Sequence, residues 1–133
     1  DPWVYREIRP YIHIANKNAG WNFDIENYEA IQFTEYKRNQ FYNYHIDSFY
    51  EKDNMRKISM TVNLSDEDSY KGGDLYFKYI DRKNLKLVEQ TDINFRKKGT
   101  LCVFPSYEMH KVTPVTKGVR YSLVLWSTGK AFK

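Results

Sequence analysis

The sequence predicts a mostly β fold: a jelly-roll, or double-stranded β-helix, with an N-terminal helix packed against one sheet. After Gly20, short segments rich in Tyr, Phe, Val, Ile and Thr alternate with polar or glycine-containing turns. That texture is typical of an all-β sandwich or barrel, and the number of segments suits two facing sheets. The 133 residues, 41% apolar and 17% aromatic, fit one compact core. We therefore predict a single domain over residues 1–133.

The N-terminal segment predicts a helix. Asp1 followed by Pro2 has the pattern of an N-cap with proline at the first helical position. Apolar residues then recur at helical intervals until Gly20, which is typical of a helix end. Pro10 lies inside this segment and is expected to kink or divide the helix, because proline removes a backbone hydrogen bond.

The β segments follow in order along the chain. Each is bounded by turn-forming residues, and we expect its ends to be correct to about two to four residues. The predicted strands lie at residues 30–36, 41–46, 57–64, 74–79, 85–89, 93–96, 100–104, 110–112 and 120–126.

Composition restricts the cellular setting. No apolar segment approaches the roughly 20 residues that cross a bilayer, which predicts a soluble protein without a membrane partner. A single cysteine, Cys102, excludes an intramolecular disulfide and fits a reducing, cytoplasmic compartment. The first residue is Asp1 rather than methionine, which leaves room for a truncation at the N-terminus. Oligomeric state cannot be read from these features.

The net charge of +4 permits nucleic acid or an acidic partner without demanding either. The basic residues occur as short dispersed groups rather than as one tract, which is typical of a solvated surface of mixed charge. Composition alone therefore does not predict a nucleic-acid-binding protein.

A candidate metal site is formed by one short motif and one distant histidine. In YNYHIDSF, His45 and Asp47 project to the same side of an extended strand. His110 begins a later predicted strand, and a jelly-roll can bring such strands together. Two imidazoles and one carboxylate can hold a divalent iron and leave its other positions open. The alternative is a surface pair plus a core histidine, because an H-x-D triplet often occurs by chance.

The last predicted strand adds a candidate anion site. In VRYSLVLW, Arg120, Ser122 and Trp126 share one strand face. A guanidinium in an otherwise apolar strand is costly to bury without an anion. One alternative is a structural salt bridge with an Asp or Glu; the other is a receptor for a substrate carboxylate, to which Arg offers a bidentate fork and Ser122 a hydroxyl.

With these residues the chain resembles the Fe(II)- and 2-oxoglutarate-dependent dioxygenases, and within them the prolyl 4-hydroxylase-like group. The resemblance covers residues 29–127 and is carried by the segments AIQFTEYKRNQFYNYHIDSF, ISMTVNLSD, YKGGDLYF, GTLCVFPSYEMHKVTPVTKG and VRYSLVLW. In that family the H-x-D pair and the distal histidine bind iron, which implies His45, Asp47 and His110 here.

The resemblance also implies a cosubstrate site and a substrate pocket. Arg120 would bind the far carboxylate of 2-oxoglutarate, with Ser122 completing an R-x-S pattern and Tyr36 as a further contact. Tyr42 and Trp126 match positions that line the substrate pocket, although each also fits plain aromatic core. The implied cofactors are Fe(II), 2-oxoglutarate and dioxygen, with ascorbate as an optional addition.

The implied activity is hydroxylation of a C–H bond, coupled to decarboxylation of 2-oxoglutarate to succinate. The resemblance favours a protein or peptide side chain as substrate and leaves a free amino acid or small molecule as an alternative enzyme function. A nucleic-acid demethylase of the AlkB kind would be expected to have a second arginine where this chain has Trp126, which disfavours nucleic acid. A hypothesis of another class is a noncatalytic β-sandwich that serves binding or structure.

Overall fold

The computed structural model describes residues 2–132 and begins with one helix, α1, at Pro2–Asn18. The predicted N-cap, Asp1, lies outside the described residues. Beyond the helix, Gly20 adopts φ +73°, and its amide donates to the Lys17 carbonyl at 3.1 Å. A left-handed glycine just past a helix satisfies its last carbonyls and turns the chain away. The predicted C-terminal end of the helix is therefore confirmed.

The rest of the chain is mostly β, as predicted. The strands are β1 Asn27–Tyr28, β2 Gln32–Tyr36, β3 Tyr42–His45, β4 Met55–Asn63, β5 Tyr70–Gly72, β6 Leu75–Ile80, β7 Leu87–Gln90, β8 Leu101–Pro105, β9 Met109–Val112, β10 Val115–Gly118 and β11 Arg120–Gly129.

Two sheets of antiparallel strands make the jelly-roll. The major sheet has the order β1-β11-β4-β8, and β2 pairs with β11 beside β1. The minor sheet has the order β3-β9-β6-β7, and β5 pairs separately with β10. Neighbours in each sheet come from distant parts of the chain, so residues far apart in sequence meet on one surface.

Alternation along β11 separates two environments. Leu125 lies on the face of the major sheet that α1 covers. It packs there with Ile58 and Met60 of β4 and with Ile12 of α1, and all four are buried. The next residue, Trp126, faces the space between the sheets, because successive strand residues point to opposite faces. The helix therefore covers the outer face of the major sheet, as predicted, and leaves the inner face free for polar residues.

One predicted strand is wrong. Ile93–Arg96 forms a 3-10 helix, although its alternating residues resemble a strand. The Asp92 carboxylate accepts a hydrogen bond from the Asn94 amide at 2.9 Å. This cap gives the backbone a local partner in place of a neighbouring strand, which is how Asp favours turns over ladders.

Other differences also have local causes. β1, β5 and β10 were not predicted, because strands of two to four residues are too short to show a period. Pro10 lies within α1 without dividing it. Its side chain is exposed, so the ring packs toward solvent rather than the core. Among the described residues, no helix has the length and apolar character that a membrane crossing requires.

Candidate metal centre

The three predicted metal ligands meet at one end of the minor sheet. β3 and β9 are neighbours, and His45 is the direct cross-strand partner of His110. Asp47 follows two residues after His45, where its amide donates to the Ser106 carbonyl at 2.9 Å. One ligand atom from each side chain lies within 4.8 Å of the others. His45 Nε2 is 3.3 Å from Asp47 Oδ1, and His110 Nε2 is 3.6 Å from Asp47 Oδ2.

Backbone carbonyls orient both imidazoles. His45 Nδ1 donates to the Asn43 carbonyl at 2.7 Å, and His110 Nδ1 donates to the Glu108 carbonyl at 2.9 Å. A carbonyl can only accept, so each Nδ1 carries a proton, and in the neutral imidazole Nε2 is the nitrogen that holds a lone pair for a metal. Such contacts fix the tautomer of histidines that bind metals. Both Nε2 atoms are therefore prepared to act as ligands.

Electrostatics keep the carboxylate ionised. Burial acts to raise the pKa of Asp47, but hydrogen bonds from His45, Ser59 and Trp126 outweigh it and hold that pKa at about 2. Burial lowers the pKa of His110, whereas for His45 the contacts with Asp47 and the Asn43 carbonyl outweigh burial and raise the pKa. An anionic carboxylate beside a neutral, buried imidazole is suited to a divalent cation.

A cavity of about 450 Å³ opens onto the triad. All eight residues predicted to form the site line it, and they come from both sheets and from the segment after β3. They are His45, Asp47, His110, Arg120, Ser122, Tyr36, Tyr42 and Trp126. The structure therefore brings together every side chain that the sequence singled out.

Arg120 lies at the inner end of this arrangement. Its side chain is 5% exposed, and its guanidinium carbon lies 5.6 Å from the centre of the Tyr36 ring. Among residues 2–132, no Asp or Glu carboxylate lies within 4.0 Å of it. A buried cation with no internal anion is costly. The structural salt bridge considered above is therefore not formed, and the cavity can supply an anion from outside.

The remaining predicted residues surround the two charged groups. The Ser122 hydroxyl is hydrogen-bonded to the Thr34 hydroxyl of β2. Tyr36 is half-buried, and burial raises the pKa of its phenol, so it stays protonated and can donate. The Tyr42 ring lies 3.7 Å from the His45 ring, centre to centre, and its own side chain is 52% exposed. Tyr42 therefore stands at the cavity mouth.

Arg56 is a cavity-lining residue that sequence reasoning missed. Its guanidinium lies 3.7 Å above the Trp126 ring and forms two hydrogen bonds to Glu29, at 2.6 and 3.0 Å. In β4, Ser59 and Thr61 face inward, and simple alternation would point Arg56 outward. Pairing jumps from Ile58 to Arg56 while the partner strand advances by one residue. The extra residue, Lys57, is a β-bulge, which re-aims side chains next to functional sites.

A second depression, of about 620 Å³, lies at the surface beside the turn at residues 66–69 and Lys97 and Lys98. Every side chain that lines it is exposed. Such a charged surface offers no enclosed, convergent donors, and the cavity at the triad remains the better candidate for chemistry.

Comparison with known proteins identifies the family. A model of the 2OG-Fe(II) oxygenase superfamily matches residues 31–128. The PKHD-type hydroxylase YbiX of Escherichia coli is 36% identical over 102 residues, which cover 71% of this chain and 40% of that protein. A PKHD-type hydroxylase of Synechococcus sp. is 37% identical over 87 residues, or 64% and 35% of the two chains. This chain thus spans less than half the length of these relatives.

Solved structures agree with the fold. A prolyl-4-hydroxylase of Pseudomonas putida has a TM-score of 0.63 at 24% identity, over 90% of this chain and 65% of its own. A prolyl hydroxylase of Trichoplax adhaerens has a TM-score of 0.70 at 21% identity, over 96% and 56%. Both likenesses support the predicted double-stranded β-helix. The donor set of two imidazoles and one carboxylate fits Fe(II), and the buried Arg120, which pairs with no carboxylate among residues 2–132, fits a dicarboxylate such as 2-oxoglutarate.

The family model matches most of the chain. The paired strands that carry His45 and His110 and the buried Arg120 agree with that match. This chain belongs to the 2OG-Fe(II) oxygenase superfamily, and the relatives and solved structures that it resembles are PKHD-type and prolyl hydroxylases.

Proposed function

We propose that this domain hydroxylates a side chain of a protein or peptide and uses Fe(II), dioxygen and 2-oxoglutarate to do so. The observation that carries the proposal is the pairing of two incomplete sites in one cavity. The triad of His45, Asp47 and His110 offers three ligands, and Arg120 offers a buried cation that pairs with no carboxylate in the described part of the chain. A molecule that both chelates a metal and carries a distant carboxylate would complete both.

Each residue has a separate task in this proposal. His45 and His110 would each bind Fe(II) through Nε2, and Asp47 would bind it through a carboxylate oxygen. Arg120 binds the far carboxylate of 2-oxoglutarate as a charge-assisted fork, and the hydroxyls of Ser122 and Tyr36 add donors beside it. When bound, iron and 2-oxoglutarate supply the oxidising chemistry that inserts one oxygen atom into a C–H bond and releases succinate and carbon dioxide.

The cavity mouth supports a peptide rather than a fully enclosed small molecule. Tyr42 and Phe49 line the cavity while 52% and 73% of their surfaces are exposed. Exposed aromatic side chains at a cavity rim are typical of protein recognition surfaces. The named activities of structural neighbours point the same way: a viral collagen prolyl hydroxylase, and a prolyl hydroxylase solved with a peptide fragment of hypoxia inducible factor.

A turnover assay tests the proposal. Purified chain, Fe(II) and 2-oxoglutarate, with and without ascorbate, are incubated with separate pools of proline-containing peptides, free amino acids and oligonucleotides. Succinate release and a mass gain of one oxygen in the peptide pool support the full proposal. Oxygen gain confined to the amino-acid pool would replace the peptide with a small-molecule substrate, and gain in the oligonucleotide pool would contradict the expectation from Trp126.

A binding experiment separates the enzyme from a noncatalytic β-sandwich. Mn(II) and 2-oxoglutarate are titrated together and singly by calorimetry. If the domain is an enzyme, Mn(II) and 2-oxoglutarate should each strengthen binding of the other, and Arg120→Ala should abolish this enhancement. Absence of metal affinity in the unmodified chain would support the binding or structural module instead.

We also propose a reducing, cytoplasmic location. Fe(II) is retained most easily where oxidants are scarce, and the only thiol, Cys102, is unpaired. Fractionation of cells that express the protein at native level would test this, and recovery from an oxidising compartment would contradict it.

A further inference from the structure

We propose that Ser59 and Trp126 are positioning residues that occupy one oxygen of Asp47 and thereby restrict this ligand to a single bond with the metal. This inference rests on the proposed function and deepens it. It assigns to Trp126 a task other than lining a substrate pocket, and it assigns a task to Ser59, which the sequence did not single out.

The first contact is a buried hydroxyl relay. Ser59 Oγ donates to Asp47 Oδ2 at 2.7 Å, and Ser59 and Ser106 lie with their hydroxyl oxygens 2.9 Å apart. Ser59 has one hydroxyl proton, which is committed to Asp47, so Ser106 must donate to Ser59. Both serines are 0% exposed. Water therefore cannot replace either hydroxyl without a change in packing.

The second contact comes from β11, where Trp126 is the direct cross-strand partner of Ser59. Trp126 Nε1 donates to the same oxygen, Asp47 Oδ2, at 3.2 Å. The indole is itself fixed, because Arg56 stacks on its face at 3.7 Å and is held by Glu29. A chain of contacts thus runs from Glu29 through Arg56 and Trp126 to the carboxylate.

These two donors use the bonding capacity of one oxygen. A carboxylate oxygen has about two lone-pair sites, and Oδ2 already accepts from Ser59 and Trp126. Oδ1 accepts from neither of these donors and lies 3.3 Å from His45 Nε2, whereas Oδ2 lies 3.6 Å from His110 Nε2. Oδ1 is therefore the oxygen available to a metal, whereas a bond to Oδ2 would have to displace one of its two donors.

A single bond from Asp47 has a chemical consequence. A metal bound by two imidazoles and a single carboxylate oxygen would keep more of its positions open for a chelating cosubstrate and dioxygen. A carboxylate bound through both oxygens would take one of those open positions. By occupying Oδ2, Ser59 and Trp126 would keep that position open for the reactants.

Metal binding without turnover tests this inference. The variants are Ser59→Ala and Trp126→Phe; phenylalanine keeps an aromatic ring for Arg56 and removes the indole N–H. Mn(II), a redox-stable probe, is titrated into each metal-free protein, and free Mn(II) is followed by electron paramagnetic resonance. Loss of contacts behind a ligand typically weakens metal binding about 10- to 100-fold, and we expect that range for either variant.

The number of water molecules on Mn(II) is the sharper readout, and proton relaxation of solvent water reports it. The unmodified protein is expected to show the higher number and each variant a lower one, because a released Oδ2 can also bind. Ser59→Thr, which keeps the hydroxyl, should restore the original value. An unchanged water number in both variants would overturn the inference.

Ser127→Ala is the matched control. Ser127 is also 0% exposed and is adjacent to Trp126, but its hydroxyl donates to the Ile58 carbonyl at 3.3 Å and does not contact Asp47. The Ser127→Ala variant should bind Mn(II) with the affinity of the unmodified protein. A loss of affinity as large as that of Ser59→Ala would mean that the effect comes from disturbed packing and not from the contact with Asp47. No Mn(II) affinity in the unmodified chain would overturn both the inference and the proposed function.

Discussion

Arg120 shows how a single residue can be destabilising alone and useful with a ligand. Its guanidinium is buried on β11 and faces the cavity without an acidic partner among the described residues. Removing an unpaired buried charge relieves a desolvation cost, whereas a bound dicarboxylate would use the same charge in strong hydrogen bonds. The two effects should therefore have opposite signs in the free and the ligand-bound protein.

For Arg120→Gln we expect 2-oxoglutarate to bind about 100-fold more weakly in the presence of Mn(II), because charged hydrogen bonds contribute about 1.5–3 kcal/mol. Calorimetry measures this affinity. The free energy of unfolding of the ligand-free protein should stay the same or rise. Equal 2-oxoglutarate affinity in the variant and the unmodified protein would remove Arg120 from the cosubstrate site.

Gly72 is a residue whose hydrogen side chain is required by space. It has φ +71°, and a Cβ there would lie 2.1 Å from the Pro114 carbonyl oxygen. Gly20 has nearly the same backbone, at φ +73°, but a Cβ there meets nothing within 4 Å. A comparison of Gly20 and Gly72 therefore distinguishes the cost of a positive φ from the cost of steric overlap.

We expect Gly20→Ala to lower the free energy of unfolding by about 1–2 kcal/mol, the cost of a left-handed L-residue. Gly72→Ala should cost more by at least about 2 kcal/mol, since backbone must also move to relieve the overlap. Urea unfolding followed by circular dichroism measures both. Equal losses would mean that the loop at Pro114 moves freely.

At the scale of elements, α1 is held by its buried face rather than by its sequence of helix formers. Ile12 is 0% exposed and belongs to the cluster with Ile58, Met60 and Leu125, while Ile14, two residues on, is 51% exposed. Short isolated helices are marginal in water. The contact with the major sheet therefore supplies most of the stability of this helix.

Ile12→Ala is expected to lower the free energy of unfolding by about 2–5 kcal/mol, because it removes buried methyl groups and leaves a cavity. Ile14→Ala, the matched control in the same helix, should change it by less than about 0.5 kcal/mol. Denaturant titration gives both values. Similar losses at the two positions would contradict the observed orientation of α1.

Elements also show what the sequence could and could not predict. Strict alternation in β11 made Arg120, Ser122 and Trp126 neighbours on one face, and the structure confirms this. Pairing between distant strands, such as β3 with β9, followed only from resemblance to a fold. The bulge at Lys57 could not be predicted from the sequence, because it is defined by the register of β4 against β11 and not by any local pattern. Arg56 was consequently missed.

At the scale of the whole molecule, the single thiol reports on the folded state. Cys102 lies in β8, and burial raises the pKa of its thiol to about 12. An unfolded cysteine ionises near pH 8.5. The folded-state pKa is thus raised, so the stabilising effect of this group is full below about pH 8.5 and is lost as pH rises toward 12.

Alkylation by iodoacetamide should accordingly be slow in the native protein between pH 7 and about 10, because the thiolate is the reactive form. In urea the rate should rise about tenfold per pH unit until it levels near pH 8.5. Mass spectrometry follows the modification. Rapid native alkylation at pH 8 would show that β8 opens easily or that the thiol is accessible.

The position of His45 on an edge strand links metal binding to the stability of the sheet edge. β3 is the end strand of the minor sheet, with β9 as its neighbour, and unpaired strand edges invite association with other chains. A metal held by both His45 and His110 would act as a clasp between the edge and the strand inside it. Loss of the metal would then loosen this edge, so that amides of β3 exchange hydrogen faster and the protein becomes more prone to aggregate.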